Sequence, residues 1–436
     1  MFDNLLGQDE VLASLRSDVE GDRLPPALLL SGPSGSGKMT AALEIARVLS
    51  CARGSEGGEK AAWNCSCPAC NRHRVLAHPD LLLLGRRSFP EEMSAALELL
   101  GRAPGPAASF FFVRAGRKLS RRFDSVLYEG EETRLAKAAP LLRELEEQLS
   151  LVSPEKARKG ELAKGAAEAA AKACQAAAKL EAFVPDEPPV FMIRNAEGWA
   201  HLAPMGPRKT IIIENADHML EGARNALLKI LEEPPESVRF VLLTSRRRAM
   251  MTTILSRSRS YAFSPRGAEG AALVIKNVFR SSEPAASVEA FLSARRSFPP
   301  SLAREKAASF LGAALASRPD RASLAPSFER IASEAEASLG SGCQAAALAS
   351  LLEATKDFGQ KDEGFSSSFS AFLAAVSGLL GDILSDEETD AASVALAERM
   401  ASLVRSTLSE YESLNRSPSL LAESLLYAIG ATKVGL

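Results

Sequence analysis

The chain has 436 residues, which at roughly 150 residues per domain points to about three domains rather than one. Its 52 Lys+Arg against 54 Asp+Glu give a formal charge of −2 with 46% hydrophobic residues, so a generally basic nucleic-acid binder is excluded and any phosphate contact needs a local patch. No apolar run reaches the ~20 residues of a membrane helix, the start Met1-Phe2-Asp3-Asn4 lacks signal-peptide character, and six cysteines are too few for a disulfide scaffold, so a cytoplasmic protein with reduced thiols and no membrane partner is expected.

In chain order, the apolar run at 27–30 predicts a strand, followed by a Gly-rich turn and a helix over 39–49 with Leu43, Ala46 and Leu49 at helical spacing. Further buried strands are predicted at 80–84, 210–213, 240–244 and 260–263. Short apolar runs between helices imply a parallel sheet covered on both faces. A helix over 222–231 gathers Ala223, Ala226, Leu227, Ile230 and Leu231 on one face and stops before Pro234-Pro235.

Between the strands at 80 and 210 the composition changes, and about residues 88–188 read as an inserted, mainly helical segment. Leu141, Leu142, Leu145 and Leu149 fall at helical spacing, Ser153-Pro154 suits a helix start, and 163–179 is Ala-rich, so a helical hairpin is expected. After Pro265 the pattern is helical, and a last helix near Ser417-Pro418 carries Leu420, Leu421, Leu425 and Leu426.

Gly32-Pro33-Ser34-Gly35-Ser36-Gly37-Lys38 stands between strand and helix, the context a phosphate-binding P-loop requires. Glycines let backbone N–H groups close around phosphate oxygens, and Lys38 reaches the outer phosphates. The next position normally supplies a magnesium-ligating hydroxyl, but here it is Met39, with Thr40 one residue and about 100° of helix rotation late. The predicted strand at 210–213 ends in Glu214-Asn215-Ala216-Asp217. Glu214 can approach a metal or be a solvated acid, as can Asp217, whereas the Asn215 amide cannot act as a base. Hydrolysis is therefore impaired twice, and nucleotide can bind without turnover.

Cys51, Cys65, Cys67 and Cys70 offer four thiolates, enough for a closed, structural zinc site, with His73 and His78 as alternative ligands. The one-residue gap between Cys65 and Cys67 is tighter than usual. Cys174 and Cys343 stay unassigned. Two basic segments remain. Arg114, Arg117, Lys118, Arg121 and Arg122 share one helix face, which suits a solvated or acid-paired surface better than DNA phosphate. Arg246, Arg247, Arg248, Arg257 and Arg259 flank Thr253-Ile254-Leu255-Ser256-Arg257, and from charge alone they read as solvated surface.

In this order the sequence resembles the bacterial DNA polymerase III clamp loader, an AAA+ family, and within it the delta-prime subunits. The resemblance rests on Phe2-Asp3-Asn4-Leu5-Leu6-Gly7-Gln8, the P-loop, the cysteine module, His78-Pro79-Asp80, Ile193-Arg194, the run from Leu227 to Pro235, and Ser256-Arg257. It covers about 1–85 and 190–263 and leaves the insertion aside. It implies an α/β AAA+ P-loop core over 1–263 with a zinc module at 51–70, a helical lid over 264–325 and an all-α collar over 326–436.

It further implies that Arg257 enters the ATP site of an adjacent subunit, which reverses the reading from charge alone, and that Thr244 occupies the position that senses the γ-phosphate. ATP or ADP at the P-loop is possible. Implied partners are the gamma/tau and delta subunits, the sliding clamp and primed DNA. Met39, Glu214 and Asn215 depart from the hydrolysing gamma/tau subunits and point to delta-prime, a stator rather than a motor. The alternatives are the gamma/tau motor itself and an independent DNA-binding adaptor using the 114–122 stripe.

Overall fold

A computed structural model describes the chain except for residues 53–60, 63, 87–88, 297, 341, 355–365, 386–389, 415 and 433–436. The expected start of the insertion at 88, the stretch at 53–60 and 63 inside the cysteine module, and the last residues of the expected collar lie outside the described residues. The chain divides into two compact units, Met1–Arg295 and Arg296–Leu436. Among the described residues no helix is long and apolar enough to cross a membrane.

In the first unit the five apolar runs become five parallel strands: β1 Ala27–Ser31, β2 Leu81–Leu84, β3 Lys209–Ile213, β4 Val238–Thr244 and β5 Arg259–Ala262. Their order is β2-β3-β4-β1-β5. Every residue of β1 to β4 is buried, which is why those runs are continuous rather than alternating. Successive side chains serve opposite cores. Leu29, Leu82, Leu84, Ile211, Ile213, Phe240 and Leu242 face one cluster, whereas Leu28, Leu30, Leu81, Leu83, Ile212, Val241 and Leu243 face the other. β5 is an edge strand that buries only Tyr261.

The second of these cores is closed by α1 Asp9–Glu20, by α2 Lys38–Leu49, which opens directly from the P-loop, and by residues around α3 Pro68–Arg74. The first is closed by the insertion, α4 Pro90–Arg102, α5 Pro106–Ser120, α6 Glu132–Leu151 and α7 Ala166–Glu181, together with α8 Val190–His201, α9 Glu221–Glu232 and α10 Thr252–Arg257. The insertion is thus a four-helix layer. α6 and α7 form the expected pair, and α4 and α5 are additional. Gly116 lets α6 approach α5, because a Cβ there would sit 2.8 Å from Leu149 Cδ2. The helix expected from Ser153-Pro154 is only the single turn Pro154–Lys156, ended by extended Ala157; Gly160, in a left-handed conformation, then turns the chain within the Arg158–Glu161 bridge. α11 Ala268–Val278 and α12 Val288–Ser293 complete the unit, packing Ile275, Phe279 and Phe291 on Ala95 and Phe111.

The second unit is helical throughout its described residues: α13 Pro300–Ala316, α14 Pro326–Leu339, α15 Cys343–Ala354, α16 Ser366–Leu384, α17 Ala391–Leu414 and α18 Pro418–Ala431. Its core is aromatic, with Phe310, Phe328, Phe369 and Phe372 fully buried and Phe310 edge-on to Phe372 at 5.0 Å. The last helix starts at the expected Ser417-Pro418 and buries Leu421, Leu425 and Leu426, while Leu420 faces outward.

Candidate functional site

The P-loop takes a shape that only its glycines allow. Gly32, Gly35 and Gly37 have φ of +152°, +72° and +103°, and a Cβ on Gly32 would lie 2.4 Å from the Phe263 carbonyl. Lys38 folds over the loop, donating to the carbonyls of Gly32 at 2.5 Å and Pro33 at 2.7 Å. Pro33, Ser34 and Gly35 are exposed and Ser36 is buried. Met39 contributes its thioether to the second core, while Thr40 sits half-buried one position further round the helix.

One residue here escaped sequence reasoning. Arg266 donates to the carbonyls of Leu6, Gly35 at 3.2 Å and Ser36 at 3.1 Å, so it braces the loop from behind. Gln8 supports the same segment with a reciprocal pair of bonds to the backbone of Ser264, at 2.9 and 3.1 Å. Contacts to main-chain atoms need no particular residue type opposite, so spacing gave no signal for Arg266.

At the end of β3 the two acids take different roles. Glu214 is buried and ion-paired with Arg122 from the insertion, whose guanidinium also donates to the Leu84 carbonyl at the end of β2. Asn215 adopts a left-handed conformation and donates to the Arg86 carbonyl at 2.7 Å. Asp217, read from the sequence as a solvated acid or a metal ligand, has a fully buried side chain and reaches Thr244 at the end of β4. It accepts from Thr244 Oγ1 at 2.7 Å and from Arg246 Nε at 2.9 Å. The Thr244 hydroxyl in turn accepts the Arg246 N–H at 2.9 Å. Burial raises the Asp217 carboxyl, but the bonds from Thr244 and Arg246 outweigh it and hold it below the usual range.

The four cysteines converge. Their sulfurs all lie within 4.8 Å of one another, with Cys51 to Cys65 at 3.8 Å and Cys51 to Cys67 at 4.0 Å. A tetrahedral all-thiolate zinc site with Zn–S of about 2.3 Å places sulfurs about 3.8 Å apart, so the donor set fits that ion. The tight Cys65 to Cys67 spacing is accommodated because Cys67 caps α3, its sulfur accepting the Cys70 N–H at 3.5 Å. Burial raises the Cys67 thiol, but that bond and its neighbours outweigh it and bring it down to about 7, while burial pushes the Cys70 thiol up. His73 and His78 lie outside the sulfur cluster and stack on each other at 4.2 Å.

The 114–122 stripe faces inward. Arg114 donates to the carbonyls of His73 and Arg74, Arg117 to Val75, Arg121 to His78 and Leu81, and Arg122 to Leu84. Acids complete the set: Arg117 pairs with Glu146 at 3.1 Å, Arg121 with Asp124 at 3.1 Å, and Lys118 with Glu92. The acid-paired reading therefore describes the stripe and the solvated one does not. Each of its five cations is hydrogen-bonded or ion-paired within the fold.

Arg257 stands apart. It ends α10 on an exposed surface, its guanidinium 2.9 Å from Glu232 Oε1 at the end of α9, and both side chains are open to solvent. Such exposed pairs contribute about 0–1 kcal/mol and exchange readily for another anion.

Comparison with known proteins gives the same core. The family model described as "DNA polymerase III, delta subunit" matches residues 7–100 and 190–267, passing over most of the insertion. DNA polymerase III subunit delta' of Bacillus subtilis is 41% identical over 58 residues, 13% of this chain and 18% of that protein. DNA polymerase III subunit gamma/tau of Mycobacterium tuberculosis is 42% identical over 65 residues, 15% of this chain and 11% of that one. Replication factor C small subunit 1 of Pyrobaculum arsenaticum is 35% identical over 89 residues, 20% of this chain and 27% of that one. The matches thus span only a minor part of each relative's length. With its five parallel strands and P-loop, the α/β core is similar, over residues 7–100 and 190–267, to the AAA+ proteins of the DNA polymerase III clamp-loader type.

Proposed function

We propose that the chain is a non-hydrolysing, stator-like delta-prime subunit of the DNA polymerase III clamp loader, lending Arg257 to the ATP site of a neighbouring subunit while the sliding clamp is loaded onto primed DNA. The observation that carries this reading is the commitment of Glu214, the acid at the end of β3, to Arg122. A carboxylate neutralised in this way is a poor magnesium ligand, and Asn215 beside it has no basicity to activate water. Met39 removes the hydroxyl that would complete the metal shell. Arg257, by contrast, is exposed, held by a surface pair with Glu232 and one bond to the Thr253 carbonyl of its own helix, so its guanidinium is available to stabilise charge on a γ-phosphate presented by another subunit.

In this reading the gamma/tau and delta subunits are the direct partners, the complex acts in the cytoplasm, residues 264–325 serve as lid and 326–436 as collar, and zinc held by Cys51, Cys65, Cys67 and Cys70 is structural. ATP or ADP resting on Gly32 to Lys38 and Thr40 would stay unhydrolysed. Two measurements test it. The chain alone should show no magnesium-dependent ATPase; robust turnover abolished by Lys38→Ala would install the gamma/tau motor reading instead. In the reconstituted complex, Arg257→Ala should depress ATPase and clamp loading, and unchanged rates would remove the trans role.

A further inference from the structure

The cysteine cluster has a neighbour that the four-ligand description omits. Arg47 lies on α2, nine positions after the P-loop lysine, and only 2% of it is exposed. Its Nη1 donates to Cys70 Sγ at 3.2 Å and to the Ala62 carbonyl at 3.4 Å, its Nη2 to the Ala61 carbonyl at 2.7 Å, and its Nε and Nη2 to the two oxygens of Glu44 at 2.9 and 2.6 Å. Glu44 is itself buried and accepts the Phe2 N–H at 3.3 Å. The guanidinium is thus fixed on three sides, with one N–H aimed at a cysteine sulfur.

A zinc ion held by four thiolates carries a net charge of about −2, and burying such a charge without a nearby cation is costly. We propose that Arg47 is the positioning residue of this metal site: it turns the positive end of the Glu44–Arg47 pair and an N–H···S bond toward Cys70, and it ties the metal module to the P-loop helix. The inference rests on the zinc reading above. Glu44 serves Arg47 by fixing the plane of the guanidinium, so that the bond to sulfur forms without further ordering.

The test is zinc affinity by competition against a chromophoric chelator, with folding followed by circular dichroism. Because Arg47→Gln alone would strand Glu44, the informative variants are Glu44→Gln/Arg47→Gln, which removes the pair together, and Arg47→Lys, which keeps the charge but not the fork. Loss of an outer partner of a metal ligand typically costs 10–100-fold in affinity, so the double variant should lose about that much and Arg47→Lys less. Wild-type chain that binds no zinc would sink the zinc reading itself. Wild-type chain that binds zinc, with both variants binding equally tightly, would overturn the role of Arg47 alone. Should the double variant fail to fold, Arg47→Lys decides: affinity equal to wild type overturns the proposal, and a severalfold loss supports it.

Discussion

Two short segments each carry five basic residues, Arg114 to Arg122 and Arg246 to Arg259, and the fold uses them in opposite ways. The first lies on α5 and the turn that follows it and faces the sheet, where its guanidinium groups bond main-chain carbonyls between residues 73 and 84 and two of its cations meet buried Glu92 and Glu214. The second lies beyond β4, around α10 and at the start of β5, with exposed guanidinium groups: Arg246 and Arg259 lean on the buried acids Asp217 and Asp18, and Arg257 meets the exposed Glu232. The lesson is that charge and spacing do not separate a structural arginine from one offered to a partner. What separates them is how far the guanidinium is exposed and what lies opposite: fixed carbonyls and buried carboxylates around the first row, and, at Arg257, water and an exchangeable surface acid.

The contrast can be broken most sharply at Arg122. Arg122→Met leaves Glu214 and the Leu84 carbonyl without their buried partner, and should cost about 3–5 kcal/mol in chemical denaturation of the first unit. Adding Glu214→Gln should recover part of that loss. A cost below about 1 kcal/mol would mean that the pair is not holding the insertion.

An intermediate effect is expected at Asp217, where the second segment touches the core. Its carboxyl is held below its usual value of 3.8, so the unfolded chain binds the proton more readily than the folded one. The stabilisation is complete above that ordinary range and is lost as pH falls through the lower folded-state value. Asp217→Asn should therefore flatten the acid limb of the stability profile below about pH 5; superimposable limbs for the two proteins would remove Asp217 from the account.

The smallest effect belongs to Arg257. Arg257→Ala should change the stability of the isolated chain by about 0.5 kcal/mol or less, because it breaks only an exposed pair and an exposed bond within its own helix. A loss comparable to that of Arg122→Met would make Arg257 a structural residue and erase the contrast.

Much of this was legible in residue types. The glycines at 32, 35 and 37 need positive φ, and four cysteines announce a shared site wherever a loop can gather them. The continuous apolar runs located all five strands to within one or two residues, because both sheet faces are buried. The partner of Glu214 was not legible. Arg122 is 92 positions away in the chain and belongs to a segment with no counterpart in the family pattern. The direction of the stripe was equally hidden, since helical spacing says which residues share a face and nothing about which side of the sheet receives it. Asp217 was misjudged for a related reason: the turn at Asn215 carries it back under β4, and a left-handed asparagine is hard to foresee.

The arginine row along β2 also decides how small this unit can be made. A trimmed version joining residues 7–100 directly to 190–267 would keep all five strands and the P-loop. It would also remove the Arg121 bond to the Leu81 carbonyl on the open side of β2 and take Arg122 away from buried Glu214. An uncovered edge strand is a template for pairing with another copy. Such a minimal chain should collect as aggregate under conditions where the full chain does not.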